Sequence, residues 1–273
     1  MTRFEEGKNS VRDAGRHREP KEIIMKNYVA FDCEYVWDEH LYEAHRAIDT
    51  RSERRAIAVK QVIAISAYAF SIADDGQLTI GVHSTWTSHT WGDEAAVIER
   101  FCDFLHFRPD HSVIGFGSLA VDLPIVTMAA MAAGLRLPDQ LRDCAGRWDK
   151  RHVDLGMLMK GRGKTWTHLS QLAIRLGIPA SLLAAKSDVP IPTSSEKWVA
   201  LGDHVTLDAL LLALVWSAWL ATQGEPGVRY APCAIAHIGT FLRRQPEHRM
   251  VAELAAYQRQ LEEGMAAEYE RAA

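Results

Sequence analysis

Cysteine is scarce and scattered in this sequence. Cys33, Cys102, Cys144 and Cys233 form no C-x-x-C pair and join no histidine at zinc-finger spacing, which argues against a disulfide framework and a structural zinc site. Long apolar runs are missing as well. None reaches the roughly 18 residues needed to cross a bilayer, and the N-terminus has no continuous apolar segment of the signal-peptide kind. These absences predict reduced thiols in a soluble, cytoplasmic protein with no membrane partner. A basic excess is also lacking: 31 Lys and Arg stand against 35 Asp and Glu, a formal net charge of −4. The chain therefore has no electrostatic footprint for gripping long stretches of nucleic acid. A strand end is a smaller target, whose phosphates bound metals and a few local cations can neutralise. Internal repeats and low-complexity tracts are absent too.

The 273 residues, 48% hydrophobic and 24% charged, suffice for one large core. Residues 1–25 are polar and charged with almost no apolar periodicity, and read as a mobile leader. NYVAFDC at 27–33 is a β-favouring run, read as the first and most central strand, and the segment 38–60 is charged. QVIAISAYAFSI (61–72), a turn at Asp74-Asp75-Gly76 and QLTIGVHS (77–84) predict a hairpin. From Gly92 to Phe107 the pattern is helical, with Asp93 as N-cap and Val97, Ile98, Phe101, Phe104 and Leu105 on one face. A short strand follows at 111–115, then a helix from about Leu119 to Ala133 closed by Gly134. HVDLGMLM (152–159) fits a short strand or a first helical turn. WTHLSQLAIRLGI (166–178) predicts an amphipathic helix, 179–193 an irregular connector, and Ser195 to about Ala221 a long apolar helix, broken by Gly224-Glu225-Pro226-Gly227. Beyond it a helical pattern at 247–268 marks a C-terminal extension. The division expected is a main domain over 26–222 and the extension over 223–273, packed on that domain or on a protein partner.

Four acids stand out. Asp32 and Glu34 lie two apart on a strand, so their side chains share one side of the sheet while Phe31 and Cys33 take the other. Like charges this close raise each other's pKa unless a cation sits between them; the alternative is a solvated strand end. Asp122 lies among apolar and small residues in VIGFGSLAVDLPIVTMAA, where a first-turn helix acid would look the same. Asp208 stands inside HVTLDALLLALVWSAW. A buried mid-helix carboxylate without a partner costs several kcal/mol or stays protonated, so a facing metal or cation is the more economical account. His204, four residues earlier, shares its helix face, although a lone histidine there can equally be a satisfied core residue. Arg142, Arg147, Lys150, Arg151, Lys160, Arg162 and Lys164 form the densest basic stretch. It is either a solvated face or a phosphate grip, with Arg162 and Lys164 as candidate nucleic-acid contacts.

In this order the residues resemble the DEDD (DnaQ-like) superfamily of 3′→5′ exonucleases, and more closely the predicted exonucleases related to the exonuclease domain of family B DNA polymerases. FDCEY (31–35) resembles the first motif, a strand ending in Asp-x-Glu, and GFGSLAVDLPIV (115–126) resembles the second. HVDLGMLM resembles a family-typical His-x-Asp-Leu segment, and HVTLD (204–208) sits where the third motif carries Tyr-x-x-x-Asp. The resemblance covers residues 27 to about 220. Departures are Gly117 in place of the usual Asn, Val121 in place of the usual Phe, and His204 in the tyrosine position.

The resemblance implies an α/β, RNase H-like fold: a central mixed five-stranded sheet flanked by helices. It also implies a two-metal hydrolysis of phosphodiester bonds at the 3′ end of a single-stranded DNA or RNA substrate. Asp32 would bridge the metals, Glu34 and Asp208 complete one site, and Asp122 serve the second, largely through water. His204 would accept the proton of the attacking water, which imidazole does readily near neutral pH. Asp154 is a supporting or structural candidate and His152 a structural one. Two Mg2+ ions suit such an oxygen-rich site, with Mn2+ able to substitute. A competing reading is a catalytically weak or inactive RNase H-like module that binds nucleic acid or a partner; another is a metal-dependent phosphohydrolase of free nucleotides.

Overall fold

A computed structural model describes residues 25–49, 56–142, 151–161, 163–183 and 191–272. The expected leader, apart from Met25, lies outside the described residues, as do Cys144, Arg147, Lys150 and Arg162. Five strands build one mixed sheet: β1 (Met25–Trp37), β2 (Lys60–Ala73), β3 (Leu78–Thr87), β4 (Ser112–Gly115) and β5 (His152–Asp154), in the order β3-β2-β1-β4-β5. β1 pairs antiparallel with β2 and β2 with β3, while β4 runs parallel to both β1 and β5. This is the RNase H-like sheet that the motifs imply, with the acid-bearing strand at its centre.

The helices are α1 (Glu39–Ile48), α2 (Ser88–Trp91), α3 (Glu94–His106), α4 (Asp122–Ala132), α5 (Leu155–Lys160), α6 (Leu169–Arg175), α7 (Ser195–Thr222), α8 (Tyr230–Arg244) and α9 (Val251–Ala272). α3 and α4 cover one face of the sheet, burying Phe101, Leu105, Ile125 and Val126 against Val29, Phe31 and Ile65. On the opposite face Tyr28, Tyr68, Phe70 and Ile114 meet Leu210, Leu214 and Trp216 of α7, then Ile238 and Phe241 of α8 and Leu254 and Tyr257 of α9. The C-terminal helices thus share a core with the sheet. A polar seam runs through it: Tyr68 Oη meets His237 Nδ1 at 3.0 Å, and His237 Nε2 meets Ser217 Oγ at 3.3 Å. Nearby, His83 Nε2 meets Ser66 Oγ at 2.9 Å, and Thr85 bridges Ser66 to Thr206 of α7.

α7 is long and apolar enough, by length and composition, to cross a bilayer, yet 78% of its most apolar window is buried inside the fold. The absence of an uninterrupted apolar run therefore understated this helix, which is the core helix of the domain. The Gly-Glu-Pro-Gly break after it has a packing role. A Cβ on Gly76, in the β2–β3 turn, would lie 2.2 Å from the Gly227 backbone, and both glycines have positive φ. Only two bare backbones fit there.

Three local expectations shift. HVDLGMLM is strand and helix in succession, β5 then α5. The helix expected from Leu119 starts at Asp122 because residues 117–120 form a turn, with Ala120 N–H bonded to Gly117 O at 3.0 Å. α1 and α8 are additional helices. α1 is capped by Asp38, whose side chain accepts from Leu41 N, and buries none of its residues.

Candidate metal centre

β1 alternates as its sequence dictates. Phe31 and Cys33 enter the core under α3 and α4, leaving Asp32 and Glu34 half-buried on the side facing α7. Asp32 pairs with Ser66 and Glu34 with Ala64, and a bulge follows directly, between Glu34 and Tyr35. α7 brings its own pair to meet them. His204 Nε2 lies 3.1 Å from Glu34 Oε1 and 3.6 Å from Asp208 Oδ2, the second contact being the one-turn spacing of helix neighbours.

Glu34, His204 and Asp208 each present a ligand atom within 4.8 Å of the others, the metal-competent group among the described residues. Carboxylate oxygens with one imidazole, half-buried and converging, fit a divalent cation. The imidazole also compensates the acids it touches. The hydrogen bond to Glu34 raises the His204 pKa, with the Asp208 charge in support, against burial and the charge of Arg249. His204 is therefore a member of the cluster and not an isolated core histidine.

Asp122 opens α4 and approaches the same strand from the other face. Burial pushes the Cys33 thiol well above its ordinary range, and the charges of Asp122, Asp32 and Glu34 add to it, together with a hydrogen bond to Asp122. Burial likewise raises the Tyr35 phenol, followed by the charge of Asp122. Asp32 and Asp122 thus flank the cluster electrostatically but stand outside the three-donor group.

Asp154 is 3% exposed and accepts three backbone N–H groups: Gly117 at 2.8 Å, Leu119 at 2.8 Å and Met157 at 3.0 Å. It caps α5 and at the same time ties down the turn that delivers Asp122. Gly117 adopts φ +72° there, a conformation that favours glycine. His152 is buried and shares a 3.0 Å hydrogen bond with Ser118 Oγ, a structural contact.

Of the basic stretch, Arg142 pairs with Asp139 and Arg151 with the carbonyl of Pro109. Lys160 sits 4.3 Å over the Trp166 ring, and Lys164 is exposed. Two basic residues outside that stretch, Lys60 of the charged 38–60 segment and Arg249, touch or act on the elements that carry the acids. Lys60 Nζ stands 3.9 Å over the Tyr35 ring and 5.4 Å over that of Trp37, while Arg249 acts on His204 from the α8–α9 turn. The partnership of Lys60 with Trp37 follows from strand register, which no local signal reveals.

Among solved structures, the family B DNA polymerase of the archaeon Pyrobaculum calidifontis is similar at 17% identity and a TM-score of 0.45, over 80% of this chain and 29% of that one. An E. coli ExoI–ssDNA complex with bound zinc is similar at 13% identity and a TM-score of 0.39, over 78% of this chain and 43% of that one. An ExoI/SSB-Ct complex is similar at 12% identity and a TM-score of 0.39, over 72% and 43%. The chain therefore spans less than half the length of each of these. No curated protein matches it. The model of a family described as a predicted 3′-5′ exonuclease related to the exonuclease domain of PolB matches residues 55–257, which include Asp122, Asp154, His204 and Asp208 and begin after β1. With about three quarters of its length matched, the chain belongs to that family of PolB-related 3′-5′ exonuclease domains.

Proposed function

We propose that this protein is a metal-dependent 3′→5′ exonuclease that removes nucleotides from the 3′ end of a single-stranded nucleic acid. The observation that carries the reading is the convergence of Glu34, His204 and Asp208 from the central strand and the core helix, inside a chain of the exonuclease family. Asp32, Glu34 and Asp208 would hold two divalent cations, with Asp122 serving the second largely through water from the other face of β1, Mg2+ by preference and Mn2+ as a substitute. When bound, these would stabilise the negative charge on the attacking and leaving oxygens of an in-line displacement.

The residues themselves handle the proton. Water oxygen bonds to phosphorus as the bond from phosphorus to the 3′-oxygen breaks, and His204 Nε2 takes the proton that the water gives up. That nitrogen lies 3.1 Å from Glu34 Oε1. Bound cations would compensate the carboxylates, and the neutral His204 ring would then be free to act as the base. Asp154 acts at one remove by holding the 117–119 turn ahead of Asp122.

The experiment is release of mononucleotides from a 3′-labelled strand, with Mg2+ and with chelator, set against hydrolysis of free nucleotides. Strand degradation that requires Mg2+ and disappears in Asp208→Asn is expected. Cleavage undiminished in Asp208→Asn, or hydrolysis of free nucleotides alone, overturns the assignment.

A further inference from the structure

We propose that the turn between α8 and α9 completes the site by presenting the Arg249 guanidinium to a backbone phosphate of the bound strand. This deepens the exonuclease reading and rests on it, since it takes the strand to enter beside His204. The turn is closed on itself, with His248 N bonded to Gln245 O and Val251 N to His248 O, each at 3.1 Å. His248 is 6% exposed and packs edge-on against Phe241, with ring centres 5.1 Å apart. Its Nδ1 accepts from Met250 N at 3.2 Å, so Nε2 carries the hydrogen and donates to the carbonyl of Asp203 at 2.9 Å. The Asp203 carboxylate in turn accepts the backbone N–H of Arg249 at 3.3 Å. The turn is thereby clamped at two points to the residue that immediately precedes His204.

That clamp fixes the Arg249 backbone and leaves its side chain exposed, in no ion pair among the described residues. The anchoring carboxylate belongs to Asp203, so the clamp sets Arg249 down one residue along α7 from His204. An exposed arginine whose backbone is anchored one residue from the acid–histidine cluster, with its side chain in no ion pair among the described residues, is poised for an anion from outside. The planar fork of a guanidinium matches two oxygens of a phosphodiester. Its anchor, Asp203, adjoins the residue that would accept the proton of the attacking water, so a phosphate near the scissile one is the anion toward which a side chain of this length would reach. The C-terminal helices then contribute to substrate binding as well as to the core.

The test uses the full chain with Arg249→Ala and Arg249→Lys, and a labelled single-stranded oligonucleotide with Ca2+ in place of Mg2+. Kd is measured over a range of salt. Loss of one charge-assisted phosphate contact should weaken binding about tenfold. The slope of log Kd against log salt should become shallower by about 0.7, the share of one phosphate on a single strand. Arg249→Lys should restore the slope, because the charge returns, and only part of the affinity, because the fork does not. With Mg2+, KM should rise more than kcat falls. An unchanged Kd and salt slope in Arg249→Ala, at an unchanged Tm, overturns the proposal. Should the parental protein bind the strand without cleaving it, the exonuclease reading fails while the salt slope still decides the role of Arg249. A parental protein that binds no strand overturns both.

Discussion

Replacing Asp154 with alanine removes the acceptor of three backbone amides at once: Gly117, Leu119 and Met157. A hydrogen bond to a charged group contributes about 1.5–3 kcal/mol, and a buried amide left without a partner costs about 1–3 kcal/mol. Leu119 and Met157 are both exposed and their amides can turn to water, whereas Gly117 sits beside the fully buried Ser118. Counting two solvated donors and one stranded one, a loss of about 2–3 kcal/mol is expected, a drop of roughly 7 °C in Tm for a domain of this size. Asp154→Asn should fall between, since its amide keeps one acceptor oxygen but turns an NH2 group toward an N–H. Because the freed turn is the one that delivers Asp122, Mn2+ binding measured by calorimetry should weaken along with stability. Urea denaturation and calorimetry on the same preparations check both. A loss below about 1 kcal/mol, or unchanged metal affinity in a destabilised variant, would falsify the claim that Asp154 holds Asp122 in place.

In metal-free protein the pairing of His204 with Glu34 should be visible as a pH effect. The folded pKa is raised, so the contribution is complete below the unfolded value of about 6.5 and fades as pH rises through the folded one. With chelator present, the Tm deficit of His204→Gln should be largest near pH 6 and shrink toward pH 9; a constant deficit refutes the pairing. His83 and His237 should act with opposite sign. Burial lowers both to about 3, so the unfolded chain takes up protons that the native one refuses, and stability falls as pH drops below about 6.5. At pH 4.5 the loss should be about 2–3 kcal/mol for each ring. Urea midpoints of the parental protein and of His83→Asn/His237→Asn should converge in acid, and parallel pH slopes would rule the mechanism out.

The sheet and the long helices were legible because their patterns are strong: NYVAFDC and QVIAISAYAFSI cannot be solvated, and Asp208 is conspicuous in an apolar helix. α8 escaped notice because YAPCAIAHIGTFLRR carries Pro232 and Gly239. Yet the proline stands in the first turn, where its missing N–H is no loss, and Ala234, Ile238 and Phe241 form the buried stripe. The carboxylates were recognisable as chemistry, but their distances were not. That His204 reaches Glu34, and that Asp122 addresses the thiol of Cys33, depends on the crossing of α7 and α4 over opposite faces of β1. Asp154 looked like a neighbour of the chemistry, and its three amide partners lie up to 37 residues away along the chain. Arg249 has no local signature, because its place is set by the folding back of α8 and α9.

The composition of α7 bears on the birth of the chain. Synthesis delivers this helix before Ile238, Phe241, Leu254 and Tyr257, the residues that cover its outer side. A nascent chain ending near residue 222 displays a segment that by length and hydropathy resembles a membrane span. Asp208 stands within that segment, and an aspartate at the centre of a helix penalises insertion into a bilayer by about 2.5–3.5 kcal/mol. The carboxylate proposed for metal binding therefore also weighs against misdelivery of the newborn helix to a membrane. A leucine in its place would remove both the ligand and that safeguard.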